Sequence, residues 1–217
     1  MPPIAPIDFD DLAPVLRESL RGRYERLGYL GDFFRHMAHQ PAALIAFDAF
    51  TEACKHALPL ELAETIALTV ATKLGNDYER NQHERLAVRN GASRAWVSNV
   101  ERLDPDAHGT GLGDAGSGGD ELDDVARAVQ RFVLSSIDAL ASCAGGSGDP
   151  DRTDRAGGTV GDDRSAQRLD EVVACTDDAT AAAVALLTAR FVAHAVISRA
   201  CRLSAPVRSI FEAGSVD

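Results

Sequence analysis

Two carboxylates and one histidine stand at spacings that could support proton transfer. Glu79 and His83 are four residues apart, so in a helix their side chains meet on one face. Glu64 is the only acid in the apolar run from Leu62 to Leu74, where burial would disfavour its charged form. Carboxylates and an imidazole in one sheltered site can exchange protons with a bound substrate. We therefore predict that His83, Glu79 and Glu64 are catalytic.

Two neighbouring side chains extend this candidate site. Asn76 precedes His83 by seven residues, which places both near the same line along a helix. Tyr78 lies directly before Glu79 and supplies a hydroxyl group. We predict that Tyr78 and Asn76 bind a substrate oxygen. Of the catalytic residues, we predict that His83 is the general acid and base, Glu79 orients it, and Glu64 is a proton relay or second acid.

Two consecutive helices must position these residues. Pro59 favours a helix start ahead of residues 60–74, and Gly75 begins a turn before a second helix that ends near Gly91. On the second helix, the face with the candidate residues continues into apolar positions and so points inward. If the helices form an antiparallel hairpin, Glu64 faces the same pocket. An acid favoured in a first helical turn by the helix dipole is the simpler interpretation of Glu64.

The spacing Glu64-x11-Asn76-x2-Glu79-x3-His83 resembles the signature Glu-x11-Cys-x2-Cys-x3-His of the alkylhydroperoxidase D-like (AhpD-like) and carboxymuconolactone decarboxylase superfamily. In that family the Glu and the His relay protons to a reactive thiol pair. Asn76 and Glu79 occupy the two cysteine positions, which removes thiol chemistry there. The chain therefore resembles a thiol-free branch that often shows Tyr-Glu-x3-His, as Tyr78, Glu79 and His83 do here.

The resemblance implies an all-α fold, an AhpD-like helical bundle, in a single domain over residues 1–217. It implies no cofactor. Relatives with this fold assemble as trimers or hexamers, so it also implies a homo-oligomer. Further segments that resemble long members of the superfamily are 4–8, 33–50 and 178–203.

Helix signals recur along the rest of the chain, and alternating strand patterns are nearly absent. A first helix is predicted from Asp10 or Asp11 to about Leu27, and a short helix from Ser93. The Gly- and Asp-rich segments lack large apolar residues and are predicted as loops. The predicted parts are a core motif at 28–103, loops at 104–120 and 144–165, and C-terminal helices at 121–143 and 166–213, ending in a short helix near Val207–Ala213.

The resemblance implies a carboxymuconolactone decarboxylase-like lyase that performs thiol-independent acid/base chemistry on a small organic acid, lactone or carbonyl compound. One alternative is an antioxidant alkylhydroperoxidase or peroxiredoxin-like activity, which the missing cysteine pair disfavours. Another is a non-catalytic oligomeric binding protein. Metal binding by Glu64, Glu79 and His83 is a lesser option, because helical metal sites usually use Glu-x-x-His spacing. In the simplest interpretation, Glu79 and His83 form an ordinary surface pair.

The charge balance restricts the partners that we expect. With 33 acidic and 22 basic residues the chain has a net charge of -11, which repels nucleic acid and anionic membranes. The acidic composition suits either a high-salt, halophilic cytoplasm or a GC-rich genome. Arg190 and Arg199 interrupt the apolar segment 179–203, which predicts a buried helix and no membrane span. We expect a cytoplasmic protein that binds a small-molecule substrate.

The remaining candidate groups are given structural roles. The four cysteines lack C-x-x-C and zinc-finger spacings, so Cys54, Cys143, Cys175 and Cys201 are predicted to be buried free thiols. His194 is predicted to be a hydrogen-bonded core residue, with lining of the pocket as the weaker option.

Overall fold

The computed structural model describes residues 2–107, 120–144 and 164–212, and all regular structure in these ranges is helical. This part of the chain therefore has the predicted all-α fold. A turn of 3-10 helix at Phe9–Asp11 comes first. The α-helices are α1 Pro14–Leu27, α2 Asp32–Met37, α3 Pro41–His56, α4 Leu60–Leu74, α5 Asp77–Arg89, α6 Arg94–Glu101, α7 Asp124–Ala144, α8 Arg164–Cys175 and α9 Asp178–Cys201.

Proline, glycine and serine set several helix ends as predicted. Pro41 is the first residue of α3, where its missing N–H has no helical partner to lose. Pro59 directly precedes α4, and Gly75 ends it with a φ of 62°, in the left-handed region that favours glycine. Ser93 begins α6 because its Oγ accepts a hydrogen bond of 2.9 Å from the backbone N–H of Trp96.

Helix α4 is the centre of the main hydrophobic core. Its residues from 62 to 71 are all buried, and it packs against α5, α6, α7 and α9. A second cluster of buried apolar residues joins the N-terminal helices to Tyr78 on α5. Glu64 is the fifth residue of α4, beyond the first turn, and is only 2% exposed. The helix dipole therefore does not explain this acid, and its side chain must find partners inside the protein.

Helix α9 carries two ionisable residues into the core. It packs against α3, α4 and α8. Among the described residues it is the one helix long and apolar enough to cross a membrane, but half of its apolar window is buried, and core helices pass the same test. Arg190 and His194 lie buried within it. Helix α9 therefore brings two nitrogen-bearing side chains towards α5.

A short helix was predicted near Val207–Ala213. In the part of this segment that the structure describes, no helix forms, because residues 202–212 contain only turns and bends after α9. The N–H of Ile210 and the Oγ of Ser209 each donate to Oε2 of Glu84 at 2.7 Å. These donors bind a carboxylate more than 120 residues away along the chain, and the backbone N–H of Ile210 is therefore not used in a helical hydrogen bond. The two contacts hold the segment against α5.

The start of the first α-helix also differs from the prediction. The first α-helix begins at Pro14, not at Asp10 or Asp11, because proline is suited to a first helical position. The predicted loops at 104–120 and 144–165 lie largely outside the described residues.

Candidate active site

Glu64 and His83 form the closest polar contact of the site. The short turn after α4 lets α5 pack back against it, and Nδ1 of His83 lies 2.7 Å from Oε2 of Glu64. Both side chains are buried. Because an ionised carboxylate only accepts hydrogen bonds, Nδ1 donates, and the ring is fixed with Nε2 on its other side. The sequence predicted that Glu79 orients His83 and that Glu64 faces the same pocket, whereas this contact favours Glu64 as the residue that orients His83.

Glu79 lies on the other side of the His83 ring. Its Oε2 is 3.7 Å from Nε2 of His83, which is too long for a direct hydrogen bond. The same oxygen accepts a hydrogen bond of 3.0 Å from Nη1 of Arg190, and Oε1 is 3.4 Å from Nε2 of His194. Helix α9 therefore supplies the charge that balances this buried carboxylate.

Arg190 is held in place by its own partners. Its Nε donates to Oγ1 of Thr51 at 3.0 Å, and that hydroxyl donates to the Phe47 carbonyl. The guanidinium also lies over the ring of Phe191, 4.5 Å from its centre. This support from α3 and α9 fixes Glu79 next to His83.

The environment shifts the pKa values of the ionisable groups apart. Burial disfavours charge on His83, but the carboxylates of Glu64 and Glu79 outweigh it and raise the pKa of this ring. Burial opposes charge on Glu79 too, yet His194, His83 and Arg190 hold its pKa well below the ordinary value. Burial lowers the pKa of His194 to about 4. His194 therefore carries a charge only at acidic pH, where Glu79 titrates, and at neutral pH Arg190 is the permanent cation beside Glu79.

These groups border a cavity of about 210 Å³. Pockets for drug-sized ligands measure roughly 300–1,000 Å³, so this cavity suits a smaller molecule. Polar and aromatic side chains from α2, α3, α5 and α9 line it, including Phe33, Phe34, Lys55, Glu79, His83 and Arg190. An acid/base group and permanent charges therefore face the same small space.

Tyr78 also lines this cavity, as a substrate-binding residue would. Its hydroxyl accepts a hydrogen bond of 3.2 Å from the backbone N–H of Phe33. A Cβ at Gly31 would lie 2.9 Å from this oxygen, so a larger residue there would require the Tyr78 hydroxyl to shift. Burial raises the pKa of Tyr78, which keeps the phenol protonated and able to donate to a ligand.

Asn76 and Glu64 occupy other surroundings. Asn76 precedes α5 and lines a separate depression with Ser198 and Arg202, so the structure does not bring it to the cavity of His83. Glu64 lies behind His83 and borders a different cavity, of about 310 Å³, together with Trp96. Only Tyr78, Glu79 and His83 of the predicted residues line the 210 Å³ cavity directly.

The sequence-based prediction missed Arg190 and Lys55, and gave His194 only a weak place in the pocket. His194 is a buried, hydrogen-bonded residue as predicted, with Nδ1 3.0 Å from Oγ of Ser198, and it also lines the cavity. Arg190 and His194 are four residues apart within an apolar helix. The same spacing separates Glu79 and His83. Two polar residues at this spacing in an apolar helix were the sequence signal that could have indicated a second wall of the site. No described cluster of three or more His, Cys, Asp or Glu side chains could hold a metal ion.

Comparisons with known proteins identify similar folds. No family model matches the chain, and no curated protein matches it. The debrominase Bmp8 in a Cys-to-Ala variant with 2,3,4-tribromopyrrole is similar with a TM-score of 0.63 and 19% identity, over 93% of this chain and 90% of that one. The apo structure of Bmp8 is similar with a TM-score of 0.64 and 18% identity, over 94% of this chain and 91% of that one.

A third similar structure is an alkylhydroperoxidase AhpD core protein, an uncharacterized peroxidase-related protein from Ralstonia eutropha. Its TM-score is 0.67 at 14% identity, over 93% of this chain and 90% of that one. At such low identity the likeness concerns the fold. The chain thus has the AhpD-like all-α fold that the sequence predicted.

Proposed function

From its AhpD-like fold and its buried Glu–His pair, we propose that the protein is an enzyme that transfers a proton to or from a small organic acid, lactone or carbonyl compound. His83 is the general acid and base, Glu64 orients it, and Tyr78 donates a hydrogen bond to a substrate oxygen. The reaction of a carboxymuconolactone decarboxylase-like lyase is the specific form that we propose.

The observation that carries this proposal is the 2.7 Å contact between Nδ1 of His83 and Oε2 of Glu64, beside a cavity that His83 lines. A carboxylate on one ring nitrogen fixes the tautomer and leaves the other nitrogen for proton transfer. The carboxylates of Glu64 and Glu79 raise the pKa of His83 above its ordinary value, which favours a ring that holds a proton for delivery to a substrate. After a substrate loses carbon dioxide, that proton would go to the carbanion left behind, which returns His83 to its neutral form.

A thiol-dependent peroxidase has less support. No cysteine lines the 210 Å³ cavity among the described residues. Burial raises the pKa values of Cys54 and Cys201, which disfavours their nucleophilic thiolate forms. Cys175 is exposed, contrary to the prediction of a core thiol, because it ends α8 at the surface. Cys143 lies outside the residues whose side chains the structure describes.

The test uses keto acids and carboxylated lactones in deuterated water, followed by proton NMR for C–H exchange and loss of carbon dioxide. His83→Gln should slow a detected reaction by about 10²–10⁴-fold, the usual contribution of a general acid or base. His56→Gln is the matched control, because His56 is exposed and outside the cavity. A rate that survives in His83→Gln, or turnover of hydroperoxide that is lost in Cys54→Ser, would contradict the proposal.

A further inference from the structure

Lys55 is a cation in the cavity that the proton-transfer mechanism does not use. It extends from α3, is half-buried, and lines the same cavity as His83 and Tyr78. It forms no hydrogen bond and no ion pair with the described residues, and its Nζ lies 5.8 Å from the centre of the Phe191 ring. Its Nζ is not fully buried, so the ammonium group is accessible from the cavity and its N–H donors are available to a ligand.

Two of the nearby carboxylates are paired with arginine side chains. Glu79 is paired with Arg190 at 3.0 Å, and Glu52 lies 3.4 Å from Arg23. Burial lowers the pKa of Lys55 and the charge of Arg190 lowers it further, while Glu64, Glu79 and Glu52 offset this only in part. Among the described residues, no carboxylate lies within ion-pair distance of Lys55, so its ammonium group is available to an anionic ligand.

The whole cavity has an excess of positive charge, although the chain has a net charge of -11. Five basic residues line it against the two acids Glu52 and Glu79. Aromatic and aliphatic side chains such as Phe33, Phe34 and Leu86 form another part of the wall, which suits an organic body. The basic residues of the lining are Arg23, Lys55, Arg85, Arg89 and Arg190.

We propose that Lys55 binds a carboxylate group of the substrate and so sets the substrate class as small carboxylates. This inference rests on the proposed function, since it concerns the same cavity, but it assigns a residue and a binding role that proton transfer alone does not require. The carboxylate accepts a hydrogen bond from Nζ of Lys55, and its organic body lies along the aromatic wall towards His83.

Benzoate and its uncharged analogue benzamide test this by titration calorimetry and NMR. We expect benzoate to bind the wild-type protein at least tenfold more tightly than benzamide. Lys55→Gln should remove this preference, and Lys55→Arg should retain most of it. Lys73→Gln is the matched control: Lys73 is the only other lysine in the chain, it pairs with Asp138 at 2.9 Å, and it does not line the cavity.

Amine labelling followed by mass spectrometry locates the binding site directly. Saturating benzoate should protect Lys55 at least fivefold and leave the labelling of Lys73 unchanged. Equal binding of benzoate and benzamide, benzoate binding that survives in Lys55→Gln, or no saturable binding at millimolar concentration would overturn the proposal. Because benzoate does not react, these outcomes are independent of whether His83→Gln loses turnover.

Discussion

The His83 imidazole is held between two carboxylates that have different partners. Glu64 contacts Nδ1 at 2.7 Å, whereas Glu79 stays 3.7 Å from Nε2 and pairs with Arg190. One carboxylate is thus free to stabilise the protonated ring, and the other is balanced by a permanent cation. When the ring loses its proton, only the Glu64 carboxylate loses a cationic partner, because Glu79 remains paired with Arg190.

At the residue scale, Arg190→Met should destabilise the protein by about 3–5 kcal/mol, because it leaves the buried Glu79 carboxylate without its cation. Urea-induced unfolding measures this free energy. The double variant Glu79→Gln with Arg190→Met should recover most of the loss, since no charge is then left unpaired. A double variant less stable than the single one would show that Arg190 acts through packing alone.

The pH dependence of stability provides a second residue-scale prediction. A histidine whose pKa is raised by folding contributes stability that is fully present below its unfolded pKa, about 6.5, and is lost as pH rises through the folded pKa. Glu64→Gln removes the main cause of this shift. The variant should therefore be less stable than the wild type by about 1.5–3 kcal/mol near pH 6, with a smaller difference near pH 9. A difference that does not change with pH would contradict this assignment.

At the scale of elements, α4 and α9 hold the site from two sides. Leu68 of α4 is fully buried, so Leu68→Ala should lower the free energy of unfolding by about 2–5 kcal/mol. Leu140 of α7 is 60% exposed, and Leu140→Ala should change the free energy of unfolding by no more than about 0.5 kcal/mol. Chemical unfolding of both variants measures this difference. Equal losses of unfolding free energy in the two variants would contradict a core centred on α4.

The elements also explain which features were predictable. Glu64, Glu79 and His83 belong to two consecutive helices, so local spacing and the Gly75 turn were sufficient to bring them together. Arg190 reaches Glu79 across 111 residues, and no local pattern specifies such a pairing. The predicted C-terminal helix failed for the same reason, because contacts with the distant Glu84 determine the path of that segment.

At the scale of the whole molecule, α9 leaves an apolar surface uncovered. Leu186 and Val196 are 49% and 63% exposed, and they lie on one side of the helix with Ala182 and Ala189. Exposed apolar patches of this kind often mark interfaces between proteins. We propose that a second copy of the chain covers this face, in the trimer or hexamer that the sequence resemblance implies.

Substitution of this face tests the assembly. Light scattering at micromolar concentration should show the wild type as an oligomer and the double variant Leu186→Asp with Val196→Asp as a monomer. Val15→Asp, at an equally exposed position on α1, should leave the assembly unchanged. A monomeric wild-type protein would contradict the proposal.

In the proposed site, His83 is a buried acid/base group whose proton is controlled by Glu64. Nitrogen NMR of labelled histidines across a pH series measures this control at the ring itself. His83→Gln and His194→Gln assign the two rings that line the cavity, among the six histidines of the chain. We expect that His83 titrates above its ordinary pKa with its proton retained on Nδ1, and that the His194 ring titrates near pH 4. A His83 ring that titrates at or below the ordinary value, and that does not respond to Glu64→Gln, would contradict it.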